Sequence, residues 1–91
     1  MSVSIDELTR AREMVESILD ELHIEAYVFE VEPVNQNWEI VIECAITEGW
    51  ERVRFSATRD NLLGSNKDAA THLTLINDWR ERLAACKRKE I

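Results

Sequence analysis

Glycine and proline are nearly missing from this chain, whose 91 residues hold two glycines and one proline. That scarcity excludes fibrous and disordered classes and predicts long elements joined by short turns. No stretch approaches the roughly 20 apolar residues needed to span a bilayer, and Met1-Ser2-Val3-Ser4 leads directly into a helix signal with no signal-peptide core. The expected setting is therefore cytoplasmic, with no membrane partner. Also missing are a Gly-rich phosphate loop, a serine-elbow motif and any recognisable metal-ligand spacing around His23 and His72. No cofactor, metal or small-molecule ligand is expected, nor an enzyme.

Cysteine is scarce too. Cys44 falls in a strand pattern and Cys86 near the end of a helix pattern. Their number alone leaves a disulfide open, but without secretory features two reduced, largely buried thiols are expected.

What the chain does have is charge, unevenly laid down. Residues 1–51 carry thirteen acidic and two basic side chains, a balance of −11, whereas residues 52–91 carry five acidic and nine basic, a balance of +4. The halves either neutralise each other within one fold or present one half to a charged partner. A net charge of −7 and a pI near 4.8 disfavour phosphate backbones and anionic lipid as partners. With 45% hydrophobic residues and a length of 91, one domain over 1–91 is expected.

Ser4-Ile5-Asp6-Glu7 forms a capping box, with Val3 and Leu8 as a hydrophobic staple. Ile5, Leu8, Ala11, Val15, Ile18, Leu19 and Leu22 then recur at helical spacing, over about 27 Å. Asp6, Glu13, Glu16 and Asp20 make an acidic outer face.

After His23 the period becomes alternating. Tyr27, Phe29 and Val31 share one face of a first strand, and Trp38, Ile40, Ile42, Cys44 and Ile46 one face of a second. Val53, Phe55 and Ala57 continue that face on a third. A loop of Val34 to Asn37 sets Val31 opposite Ile40, Phe29 opposite Ile42 and Tyr27 opposite Cys44. Taking Glu48-Gly49 as the second turn sets Cys44 opposite Val53, Ile42 opposite Phe55 and Glu43 opposite Arg54. Both turns choose the same buried face, predicting a three-stranded antiparallel meander.

Arg59 to Ser65 reads as a loop. Ser65-Asn66-Lys67-Asp68 is a second capping box opening a helix with Ala69, Leu73, Ile76, Trp79, Leu83 and Cys86 inward, ending near Lys87. The expected fold is α+β: a two-layer αβββα sandwich with both helices on one sheet face. Roughly parallel helices would bring the basic last turns of the second near Asp20 and Glu21.

The other sheet face carries Glu30, Glu32, Glu39 and Glu43 with Arg52 and Arg54, a pattern that reads as a solvated charged surface. Trp50 lies there beside Arg52, with Val28, Val41 and Ala45 extending a mildly apolar strip. Exposed Trp beside Arg has the composition of an interface hot spot, although Trp50 could also simply fold over its own hairpin. Trp50, Arg52, Arg54, Val41, Ala45 and Val28 are thus the candidate protein interface, for another protein or for a homodimer. An alternative nucleic-acid function would use Arg52, Arg54, Lys67, Lys87, Arg88 and Lys89, or the acidic surface as a phosphate mimic.

The αβββα order resembles the double-stranded-RNA-binding domain, which implies RNA binding through a Lys-rich start of the second helix. The matching segment, Gly64-Ser65-Asn66-Lys67-Asp68, has one lysine, and the first hairpin loop, Pro33-Val34-Asn35-Gln36-Asn37, has no basic residue. More loosely, Leu75-Ile76-Asn77-Asp78-Trp79-Arg80 is similar to a helix of small, acidic, dimeric type III secretion chaperone-like proteins, which implies holding a partner polypeptide. The chain stops short of the additional strands usual there.

Overall fold

A computed structural model describes residues 4–65 and 67–89. Helix α1 (Ile5–Glu21) is followed by three strands, β1 (Tyr27–Val34), β2 (Asn37–Ile46) and β3 (Gly49–Thr58). Two helices follow, α2 (Arg59–Gly64) and α3 (Ala69–Arg82). The strands form one antiparallel sheet in the order β1-β2-β3, so the fold is α+β with a three-stranded meander as expected.

Local chemistry explains each boundary. Ser4 Oγ accepts the Glu7 backbone N–H and starts α1, while Val3 of the expected staple lies outside the described residues. At the other end His23 takes a left-handed φ of 61°. Its N–H donates to Asp20 O and that of Ile24 to Leu19 O, a Schellman motif whose Leu19 and Ile24 meet in the core. Pro33 is accommodated because β1 is an edge strand.

The first hairpin has the expected register, with Val31 opposite Ile40 and Phe29 opposite Ile42. Its tight turn is Asn35-Gln36, with Asn35 at φ 57°. The second hairpin corrects the expectation: Ile42 pairs with Val53, Ile40 with Phe55 and Glu43 with Arg52. Thr47 and Glu48 form the turn, and Gly49, at φ +126°, begins β3 instead of closing the loop. The slip of two residues keeps every side chain on its predicted face.

One core lies between the sheet and the helices. Ala11, Val15, Ile18 and Leu19 of α1 meet Trp38, Ile40, Ile42, Phe55 and Ala57 of the sheet, and Leu62, Leu75, Ile76, Trp79 and Leu83 close it. Phe55 packs edge-on against Trp79 at 4.9 Å, and the Arg82 guanidinium lies 5.1 Å over the Phe55 ring. The buried indole N–H of Trp38 has no hydrogen-bond partner among the described residues.

Several expectations are overturned towards the C-terminus. The segment expected as a loop is the short helix α2, capped by Thr58 and anchored by the buried Leu62. Asp68, not Ser65, caps α3; it accepts from Thr71 Oγ1 and Ala70 N, which hold its carboxyl below the usual range. The inward stripe of α3 runs through Leu75, Ile76 and Trp79, leaving Ala69 and Leu73 exposed, as is Ile5 on α1. The helix ends at Arg82, well before Lys87.

Beyond it the chain returns to the sheet. Lys87 N–H donates to Ala45 O at 2.8 Å, Lys87 O accepts from Glu25 N–H at 2.9 Å, and Lys89 N–H donates to His23 O. Cys86 is bonded to Cys44, so the expected pair of free thiols is replaced by a buried disulfide. The start of α3, not its basic last turn, meets the end of α1, because His72 contacts Glu21. Among the described residues no helix is long and apolar enough to cross a membrane.

Candidate functional site

The sheet face opposite the core holds the candidate interface. Alternation along β1 presents Val28, Glu30 and Glu32; β2 presents Glu39, Val41, Glu43 and Ala45; β3 presents Trp50, Arg52 and Arg54. All six candidate interface residues therefore share one surface. Cross-strand pairing arranges them in rows: Val28, Glu43 and Arg52 in one, Glu30, Val41 and Arg54 in the next. Trp50 pairs with Ala45, two residues short of Thr47, the partner that a Glu48-Gly49 turn gives it.

Exposure separates two kinds of apolar residue here. Trp50 and Val28 are each 59% exposed, whereas Val41 is only 8% exposed although it points away from the core. Its cover comes from its own face. Arg52 pairs with Glu43 at 3.3 Å and Arg54 with Glu39 at 3.4 Å, laying charged side chains across the middle strand. A shallow hollow of about 100 Å³ lies among Val28, Phe29, Glu30, Val41, Glu43 and Arg52, well below the 300–1,000 Å³ typical of small-molecule sites.

The electrostatics of the face are graded. Glu30 and Glu32 on β1 have no ion-pair partner among the described residues, whereas the guanidinium groups sit on β3. The face is thus acidic at the β1 edge, and the arginines of β3 offset the glutamates of β2. Of the three arginines invoked for nucleic-acid contact, Arg52 and Arg54 are engaged by carboxylates, and Arg88 donates to the carbonyl of Arg80. Lys67 lies between α2 and α3, and Lys87, Arg88 and Lys89 lie in the returning tail, so the six cations occupy three separate parts of the chain.

Two polar clusters had no sequence signal. Ser65 Oγ lies 2.7 Å from His72 Nδ1, and His72 Nε2 lies 3.0 Å from both carboxylate oxygens of Glu21. A carboxylate only accepts, so Nε2 carries the hydrogen that faces Glu21. Ser65 is 2% exposed, out of reach of a substrate, and the chain of contacts ties α1 to α3. Separations of 7 and 51 residues hide it from any local motif. In the second cluster Tyr27 Oη donates to Asp20 at 2.9 Å. Burial, the Asp20 hydrogen bond and the charges of Asp20 and Glu16 raise the phenol to about 12.

No family model, characterised protein or solved structure matches this chain. The likenesses to RNA-binding domains and to secretion chaperones therefore remain likenesses of element order and of one helical segment, and the site itself carries the functional reading.

Proposed function

We propose that this protein is a non-enzymatic protein–protein interaction module that works through its open sheet face. The observation that carries this reading is Trp50, 59% exposed on β3, with the equally exposed Val28 two strands away on the same face, which carries no helix. A large aromatic held on a rigid strand loses little entropy on binding, and a neighbouring Arg supplies a polar rim. Its cross-strand neighbour is the small Ala45, which leaves the indole open to be covered from above.

The setting is part of the proposal. Disulfides are rare in reducing cytosol, so the Cys44–Cys86 bond favours an oxidising environment over the cytoplasm expected from sequence.

Sedimentation of wild type beside Trp50→Ala across a concentration series, at low and high salt, tests the reading. Association, or binding to an added protein partner, that the substitution weakens without changing the fold supports it. Unfolding of the isolated chain by Trp50→Ala, or association insensitive to it, overturns it.

A further inference from the structure

Resting on the open-face reading, we infer that the occupant of this face is a second copy of the same chain, related by a two-fold axis lying parallel to the strands. The inference comes from the gradient of charge across the three strands. A two-fold parallel to the strands reverses each cross-strand row and lays it over itself, so β1 of one copy lies over β3 of the other.

The reversal is complementary in the rows that hold Glu30 and Trp50, while in the row Glu32, Glu39, Ser56 it sets Glu32 over Ser56 and brings together two Glu39 carboxylates that Arg54 already engages. The row Glu30, Val41, Arg54 sets Glu30 against Arg54 of the second copy, twice, with Val41 on Val41 at the axis. Glu30, without an ion-pair partner among the described residues, comes to share Arg54 with Glu39 of that second copy, which already engages it at 3.4 Å. At the sheet end Ala26, whose carbonyl accepts from Ala45 N–H, continues the row Ala45, Trp50. Reversal sets each Trp50 over Ala26 of the second copy, with Ala45 on Ala45 between them. Two bulky rings thus meet two small side chains instead of each other. In the intervening row Arg52 comes over exposed Val28, and the Glu43 carboxylates that approach at the axis are each already paired with Arg52.

The alternatives are less favourable. A two-fold perpendicular to the strands stacks β1 on β1, opposing Glu30 and Glu32 with their copies. Edge pairing of β3 with β3 gathers Arg52 and Arg54 of both copies, and pairing β1 with β1 gathers Glu30, Glu32 and Pro33 of both. Sheets packed face to face sit about 30° from aligned, which keeps β1 over β3. From Ala26 to Glu32 the surface is about 20 Å long and three strands wide at about 4.8 Å each. Such a small footprint belongs with weak, concentration-dependent dimers.

Charge reversal provides the test, read by sedimentation equilibrium with circular dichroism as the check on folding. Wild type is expected to dimerise, and Glu30→Arg and Arg54→Glu alone to weaken dimerisation about tenfold or more. An equimolar mixture of the two variants is expected to form a heterodimer, and the double variant Glu30→Arg/Arg54→Glu to recover the homodimer. Wild type that stays monomeric overturns self-pairing while leaving an open-face module for another protein intact. A dimer lost with Trp50→Ala but indifferent to both reversals overturns the assigned axis and keeps the face. A dimer indifferent to all three substitutions overturns both readings.

Discussion

Cys86, in the segment that follows α3, is bonded to Cys44 in β2 across a sequence separation of 42. The bond fastens the returning tail where Lys87 joins Ala45 of β2 to Glu25 ahead of β1. The closed loop takes in β3, α2 and α3, so this single link constrains half of the chain.

Reducing that bond is expected to lower stability by about 4 kcal/mol on the loop-entropy scale, a large share of the 5–15 kcal/mol typical of a domain. Urea unfolding with and without a dithiol reductant measures it. Cys44→Ser/Cys86→Ser should reproduce the reduced midpoint and become indifferent to reductant. Equal midpoints for wild type in both conditions would contradict the linkage.

Tyr27 is the chain's single tyrosine, so ultraviolet absorbance follows it alone. Its ionisation midpoint is expected near 12 instead of 10, and Asp20→Asn should lower it. Because the fold favours the neutral phenol, the stability it adds is complete below pH 10 and is lost as pH rises through about 12. A wild-type midpoint of 10 in the folded protein would remove the Asp20 contact from the account.

His23 occupies a left-handed position that glycine adopts without steric cost. His23→Gly is expected to raise stability by roughly 0.5–1 kcal/mol in thermal or urea unfolding. Destabilisation would show that the imidazole makes a contact outweighing the backbone strain.

Two ion pairs should differ in strength. Arg59–Glu7 joins α2 to the start of α1 with side chains 29% and 21% exposed, whereas Arg52–Glu43 on the sheet has 57% and 41%. Double-mutant cycles are expected to give about 1 kcal/mol of coupling for the first and below about 0.5 kcal/mol for the second. The reverse order would mean that burial does not decide their strength.

Much of the architecture was legible in the sequence, for reasons that also mark its limits. The α1 cap and the buried sheet face follow from spacing and alternation, and the first hairpin register from the turn-rich segment between Pro33 and Asn37. The second hairpin slipped by two because a shift of two preserves the face, so hydrophobicity could not choose between turns and Gly49 drew the turn towards itself. Helix α2 is too short to show a period. Residues 83–89 look helical locally, but the link to Cys44 and the bridge between Ile24 and Arg88 pull them off the helix. The surface residues Trp50, Val28, Val41, Ala45, Arg52 and Arg54 were gathered correctly because alternation alone puts them together. The Ser65–His72–Glu21 chain was not, since only tertiary packing unites it.

The central claim is that Trp50 is covered when the protein engages its partner, which we infer to be a second copy. Trp38 and Trp79 are each 1% exposed, so acrylamide quenching of the native protein reports Trp50 alone. Measured from dilute to concentrated solution, the quenchable fraction of the emission is expected to fall as the dimer forms, and in Glu30→Arg to fall only at about tenfold higher concentration or above. A wild-type fraction that stays quenchable at every concentration would contradict the claim.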